Sequence, residues 1–548
     1  MSKFNEKRET KHVPTEVNKM GSPAYKLDPR EELVSTVLTT FIQKSYYEGE
    51  NEIMNRIRKA ALACDPLFVA KTALYARTEA NMRSSSHVLA TELAPRISGL
   101  EWSTRFYTKV LVRPDDMAEI LSYYKNVMKQ KSIPNAVRRG FKNKLESLDP
   151  YLIDKYKMLG RDVSLIDLVN LIRPVPTQRN AEAFKLLMEE GGKGLDKLYS
   201  SKILEKEMSK AGKVTKEDQK TVKEAKREAI EDTLGNVKGM PIMNLLRNLR
   251  NIMLYAPDSV DEAINQLINP ETIKKSRLLP FRFLSAHKEI GSMSHLGDPV
   301  RTVEFESDMK TRGVTSAELG VLKTKVLAAL ETAIELACYN IPELEGRTAI
   351  LIDHSGSMRG DSGGSSLVST FSAVNSTAIA NLFAAMLLSK QPDVYVGLFG
   401  DNLVQYSVKR KMGILEMVHD INNAGRVCGA ATEHGIFMFF REIVKNPIPI
   451  DNIIVFSDMV IGEHNKWYGT GGSTRGGSFP EVFKAFRKAY PHTKVASVDI
   501  KQTDGNTVFN KNMQVTQVAG WSEKIFDVIA SGTAGYKALI EEIEKIVI

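Results

Sequence analysis

Apolar residues recur at helical spacing through most of the first 340 residues. After Asp28-Pro29 and the acidic pair Glu31-Glu32, the residues Leu33, Val34, Val37, Leu38 and Phe41 fall along one face, which predicts a helix. Helices are also predicted over 51–63 and 65–79. The second opens on Asp65-Pro66, a cap residue followed by proline at the first helical position. The same spacing predicts helices near 83–94, 101–111, 115–129, 134–147, 149–158, 164–172 and 179–190. Further helices are predicted over 239–252 (GMPIMNLLRNLRNI), in a segment ending at LLPFRF (278–283), and from about Ser316 to Tyr339. Short Gly, Pro or Asp junctions and no strand-like alternation predict stacked helix pairs, an α-solenoid. A compact irregular helical domain is the alternative, since no repeat of fixed length is visible. Residues 1–25 are polar and without period, and are expected to form a flexible tail. Residues 201–232 are dense in Lys and Glu with few apolar anchors, the pattern of a solvated helical insert.

At Pro342–Gly346 the period changes. Thr348–Asp353 (TAILID), Asp393–Gly400 (DVYVGLFG), Asp451–Asp458 (DNIIVFSD) and Thr493–Asp499 (TKVASVD) are short β-rich runs, with Met513–Val518 a weaker fifth. Helical segments at 370–389, 432–445, 479–490, 521–530 and 534–547 alternate with or follow them. Strands alternating with helices predict a doubly wound α/β parallel sheet, whose ligands sit beyond the carboxyl ends of the strands. The expected organisation is a tail (1–25), a helical-repeat domain (26–340) carrying the 201–232 insert, and an α/β domain (341–548).

Charge separates these regions. The whole chain carries 75 Lys+Arg and 66 Asp+Glu, a net of +9. Residues 341–548 hold 20 basic and 21 acidic residues, so the excess positive charge lies entirely before them. That asymmetry favours a polyanionic partner for the helical part. No apolar run approaches the roughly 18 residues a membrane helix needs, and the start lacks a signal-peptide apolar region. The three cysteines, Cys64, Cys338 and Cys428, are too far apart in sequence for a CxxC site. A cytoplasmic protein with no membrane partner is expected.

The first strand runs into Asp353-His354-Ser355-Gly356-Ser357, a D-x-S-x-S pattern. One carboxylate and two hydroxyls at alternate positions can converge on a cation, with Gly356 permitting the tight turn. Asp458 ends another strand, and Thr432 in Gly429-Ala430-Ala431-Thr432 adds a hydroxyl. All-oxygen ligation with few carboxylates suits Mg²⁺ or another divalent cation. A plain turn with Asx and Ser hydrogen bonds is the alternative. The region 341–548 resembles von Willebrand factor A domains and their metal-ion-dependent adhesion site. That resemblance implies Asp353, Ser355, Ser357, Thr432 and Asp458 as metal ligands in a domain that binds partners without catalysis. It departs at the second loop, where the family often reads Gly-Gly-Thr-Asp. No G-x-S-x-G elbow and no G-x-x-x-x-G-K-[ST] loop occurs, so hydrolase and P-loop nucleotide chemistry are unsupported. The Gly-rich stretch 469–478 reads as a surface loop. His87, His287 and His434 read as structural.

Within 131–179 there are ten Lys/Arg against five Asp/Glu. A helix starting after Pro134 places Arg138 and Lys142 on one face, Arg139 at its edge and Lys144 further round. Val137, Phe141, Leu145 and Leu148 form the buried stripe. A basic face can follow a phosphate backbone. The helical part resembles the Ro ribonucleoprotein family, in which a helical TROVE module precedes a von Willebrand A domain. The stretches that carry this are Met20–Tyr25 (MGSPAY), Ala136–Lys144, Met240–Asn251 (MPIMNLLRNLRN), Leu279–Phe283 (LPFRF) and Val518-Ala519-Gly520-Trp521, in that order. The resemblance implies HEAT-like repeats closed into a ring. It implies small structured Y-like RNA on a basic outer surface, and single-stranded ends of misfolded non-coding RNA in the hole. Phosphate contacts are then expected from Arg138, Arg139, Lys142 and Lys144, and contacts lining the hole from Arg247 and Arg250. The expected protein is a monomeric, non-enzymatic scaffold for RNA quality control or processing, with an exoribonuclease or other protein reached through the A domain. A metal-dependent protein–protein adaptor with no RNA role is the rival.

Overall fold

The structure is a computed structural model. It describes residues 14–19, 23–40, 42, 49–80, 82–130, 132–195, 237–238, 240–276, 278, 280–293, 316–338, 344–360, 366, 374–391, 394–407, 412–430, 435–461, 479–501, 506–509, 513–520, 525–532 and 535–548. The 201–232 insert, the 469–478 loop, Thr432, His434 and Trp521 lie outside the described residues.

Two short strands, β1 (Glu16–Val17) and β2 (Pro23–Lys26), precede four helices: α1 (Pro29–Thr39), α2 (Glu50–Ala63), α3 (Pro66–Thr78) and α4 (Arg83–Leu93). Six more helices follow: α5 (Ser103–Val110), α6 (Pro114–Asn126), α7 (Asn135–Glu146), α8 (Pro150–Lys155), α9 (Leu165–Ile172) and α10 (Ala181–Glu190). After these come α11 (Ile242–Tyr255), α12 (Val260–Leu267), α13 (Pro270–Ser276), α14 (Pro280–Gly291) and α15 (Ser316–Ala337). The caps explain many boundaries. Asp28 accepts from Arg30 N and Glu31 N while the Glu31 side chain accepts from Asp28 N, a reciprocal capping box. Asp65 and Asp149 cap α3 and α8 ahead of a first-position proline, and Ser164 with Asp167 boxes α9.

The remainder is α/β: β3 (Thr348–Asp353), α16 (Gly356–Arg359), α17 (Ser376–Lys390), β4 (Val394–Phe399), β5 (Leu403–Tyr406), α18 (Ile414–Ala424), α19 (Gly435–Lys445), β6 (Asn452–Ser457), α20 (Phe479–Ala489), β7 (Lys494–Asp499), β8 (Asn506–Thr507), β9 (Val515–Ala519), α21 (Ile525–Ser531) and α22 (Lys537–Glu544). The six-stranded sheet has the order β5-β4-β3-β6-β7-β9. Its strands are parallel except β5, which runs antiparallel to β4 at the edge. Every residue of β3 and β6 is buried, so these central strands read as continuous apolar runs, as strands covered on both faces do. One aromatic cluster joins Phe437 and Phe440 of α19 to Phe479, Phe483 and Phe486 of α20 and to Phe509. Elsewhere Phe383 of α17 stacks on Phe456 of β6 with centroids 5.8 Å apart.

Packing divides the chain into two compact units. One comprises residues 1–97, 341–412 and 416–548; the other comprises 98–340 with 413–415. Thus α1–α4 belong to the same unit as the sheet. In that unit α1 packs on β9 and α3 on α22, and Arg30 pairs with Glu544 at 2.8 Å. The reading of 1–25 as a flexible tail is corrected here for its described part. β1 pairs with β2, β2 pairs antiparallel with β8, and Ala24 and Tyr25 are buried. The Asn18 side-chain amide donates to Ile461 O at 2.8 Å. Pairing over more than 400 residues leaves no local period to read. In the second unit, α5 and α7 meet where Gly140 lies against Tyr107, and α15 packs along α12, α13 and α14.

Candidate functional site

The carboxyl edge of the sheet gathers most of the expected oxygen donors. Asp353 ends β3 beside Phe399 of β4, and Ser457 of the neighbouring β6 reaches across to it. Asp353 Oδ2 accepts from Ser457 Oγ at 2.5 Å, and Oδ1 accepts from Ser355 N at 2.8 Å. The chain then turns into α16, which leaves Ser355 Oγ and Ser357 Oγ 3.2 Å apart. Asp458 follows β6 and accepts from Val460 N through Oδ1 at 3.2 Å. Next to it, Met459 adopts a left-handed φ of 59°. Asp353, Ser355, Ser357 and Asp458 are each at most 5 % exposed. The second loop joins the first directly, since Gly356 N donates to Ala430 O at 2.7 Å. The remaining expected ligand, Thr432, is not among the described residues.

Burial dominates the electrostatics of this edge. Burial pushes the Asp353 carboxyl up to about 7, the Asp458 carboxylate adds to the rise, and the hydrogen bonds from Ser457 and Ser355 oppose it. Two buried carboxylates that repel each other favour either a proton or a cation. Among the described residues no group of three or more His, Cys, Asp or Glu side chains could hold a metal. The donor set here is instead two carboxylates and two hydroxyls. It is all oxygen and weakly charged, so it fits a hard divalent cation that keeps some of its water. Asp353, Ser355, Ser357 and Asp458 are the described residues that would hold such an ion. It would supply a Lewis-acidic position open to an anionic oxygen.

Sequence reasoning missed what braces this loop. His354, fully buried, donates its backbone N–H to Phe399 O at 2.7 Å, and its Nε2 lies 3.0 Å from Asn381 Oδ1 of α17. Burial first, then Arg359, hold the imidazole down to about 3, so it is neutral. Gly425 closes on the ring so tightly that an added Cβ would lie 2.0 Å from Nδ1. Nearby, burial lowers the Lys501 ammonium while Asp458 opposes that shift. Periodicity could not reveal these partners, because each comes from a different element.

In the other unit, α7 has the buried stripe expected: Val137, Phe141 and Leu145, with Ala136 and Gly140 beside them and Leu148 just beyond. Its cations turn outward in two directions. Arg138 Nη1 donates to Leu171 O at 2.7 Å, on the α9 side, and Arg139 Nε donates to Thr104 Oγ1 at 3.0 Å, on the α5 side. Lys144 Nζ donates to Val112 O at 2.9 Å, and Lys142 stands 3.8 Å from Glu146. The Arg138 and Arg139 contacts go to neutral oxygens, which leave the guanidinium charge uncancelled. Arg247 and Arg250 are both exposed on α11. Sequence reasoning quoted Arg282 of α14 only within LPFRF. Burial and then the Arg247 charge lower its guanidinium, so two cations share one neighbourhood where α11 packs on α14. The six expected RNA contacts therefore form two groups, on α7 and on α11. Among the described residues no helix is long and apolar enough to cross a membrane.

Comparison with known proteins follows the same outline. A search of curated proteins finds no match. The crystal structure of the Deinococcus radiodurans Ro (RSR) protein superposes with a TM-score of 0.54 at 13% sequence identity, covering 92% of this chain and 99% of that one. This likeness supports the fold: a helix-rich amino-terminal part followed by a largely parallel sheet. The family model of the TROVE domain matches residues 33–227 and 162–309, which together span just over half of the chain. The chain is a member of the TROVE-domain family, the family of the Ro ribonucleoproteins.

Proposed function

We propose that this protein is a non-catalytic RNA-binding scaffold. Structured small RNA, of the Y-like kind, lies with its phosphates along α7, and single-stranded RNA ends meet Arg247 and Arg250 with Arg282 nearby. The observation that carries this reading is the outward pair Arg138 and Arg139, each fixed on a neutral oxygen. A guanidinium held by a carbonyl or hydroxyl stays available to a phosphate, whereas one locked to a carboxylate would have its charge largely cancelled. Family membership supports the same reading. Filter binding of a hairpin RNA at several salt concentrations tests it. Affinity should fall steeply as salt rises, because each phosphate contact releases counterions. Weak binding that ignores salt would end the proposal.

In the same reading, the von Willebrand A-like edge at Asp353, Ser355, Ser357 and Asp458 holds Mg²⁺, with Thr432 completing the set. It docks an anionic group of a protein partner. The support is the buried, mutually repelling carboxylate pair. Calorimetry should detect Mg²⁺ binding in the parent and little in Asp353→Ala, while RNA affinity is unchanged. Equal ion binding by both proteins would overturn the metal assignment.

A further inference from the structure

Beside α7 lies an open cleft of about 300 Å³ that the reading above does not use. Its walls include Leu121 and Tyr124 of α6, Ile133, Val163 and Leu171. Ile133 leads directly into α7, and the Arg138 guanidinium rests on the carbonyl of Leu171 at 2.7 Å. Cationic α7 therefore borders the cleft.

The lining has the opposite character. Asp162 and Asp167 both face the cleft, with Lys125. Asp162 Oδ2 accepts from Ser122 Oγ at 2.9 Å and from Asn126 Nδ2 at 2.7 Å. Asp167 Oδ2 accepts from Ser164 N and Ser164 Oγ. Those hydrogen bonds, ahead of the Lys125 charge, hold both carboxyls below their usual range, so both are ionised at neutral pH. A phosphate is thus drawn to α7 and repelled by the cleft's lining. Lys125 offsets part of the negative charge, so the lining does not require a full cation. A flat, neutral group with several N–H donors satisfies the apolar walls and the carboxylates together.

We propose that this cleft receives one unpaired nucleobase, guanine by preference, from the RNA whose phosphates lie on α7. The proposal rests on the RNA-binding reading above. Guanine presents N1–H and N2–H₂ side by side on its Watson–Crick edge, adenine and cytosine present one amino group, and uracil presents a single imino N–H. Unpaired bases are read in this way, splayed from the stack and bonded along an edge. A hydrogen bond to an ionised acceptor is among the stronger ones, so guanine should exceed uracil by about tenfold in affinity.

The test uses the full chain and five hairpin RNAs, one uninterrupted and four carrying a single bulged G, A, C or U, in filter binding at one salt concentration. The bulged-G hairpin should bind about tenfold tighter than the bulged-U hairpin. Asp162→Asn combined with Asp167→Asn should abolish that difference, leaving affinity for the uninterrupted hairpin within about twofold. Leu171→Trp keeps both carboxylates and the carbonyl that holds Arg138 but fills the cleft, and should abolish the difference as well. Equal binding of all five hairpins by the parent, with salt dependence intact, overturns the cleft proposal alone. Failure of every hairpin to bind overturns the RNA reading together with it. Discrimination that survives both variants places base reading elsewhere and overturns the assignment. An arginine-rich peptide whose binding is lost in both variants, without base discrimination, assigns the cleft to a protein and overturns it too.

Discussion

At the scale of single residues, Asp353 couples charge to folding. Its folded carboxyl lies above the ordinary value of 3.8, so the folded state holds that proton more tightly than the unfolded chain does. In chelator, the folded state should therefore lose stability as pH climbs from about 4 to about 7, with the full penalty present above that. Asp353→Asn removes the charge while keeping the shape. It should melt higher than the parent at pH 8 in chelator, and the gap should close as pH falls toward 4. Mg²⁺ should raise the parent's melting temperature and leave the variant's unchanged, by ordinary ligand linkage. Melting curves at two pH values, with and without the ion, check all of this. Gly425 offers a second check. Gly425→Ala drives a methyl into His354, and overpacking of this kind costs on the order of 1–3 kcal/mol. It should weaken Mg²⁺ binding along with stability. The D-x-S-x-S run was legible because its geometry is local. The clamp of His354 by Asn381 and Gly425 was not, since that contact joins residues 27 and 71 positions away.

At the scale of elements, long amphipathic helices and buried strands were readable and short edge elements were not. The predicted start of α7 after Pro134, its apolar stripe and its cations all reappear in the fold. By contrast β5, α12 and α18 passed unread, and LLPFRF, expected to end a helix, instead leads into α14, which starts at Pro280. The α5–α7 contact shows what a pattern leaves out. Gly140 interrupts a good helix-forming run for no local reason, yet an added Cβ would stand 2.3 Å from Tyr107 Cβ. Gly140→Ala should therefore lower stability by about 1–3 kcal/mol in a denaturant titration, although alanine favours helix. For function, Arg138→Ala and Arg139→Ala should each flatten the salt dependence of RNA binding by about one unit of slope. They should weaken all RNA sequences alike.

At the scale of the molecule, order along the chain and packing in space disagree. The change of period near Pro342 marks where helical sequence gives way to α/β sequence. The packed units instead place residues 1–97 with residues 341–548. Helical spacing cannot announce this: α1, α3 and α4 are buried along most of their length, yet nothing in their own sequence names β9 and α22 as the cover. A fragment spanning 98–340 should accordingly show cooperative melting by circular dichroism. A fragment spanning 26–340 should expose the faces of α1 and α3 that β9 and α22 cover, and bind a hydrophobic dye. Equal dye binding by the two fragments would contradict the division.

The split unit also sets a timetable. On a ribosome adding about 5–20 residues each second, the first 97 residues emerge at least ten seconds before the strands they pack on begin to appear. Through that interval Leu33, Val37 and their neighbours have no completed surface to close against. The nascent amino-terminal segment is therefore a natural client for a chaperone, while the intervening helices can finish folding first.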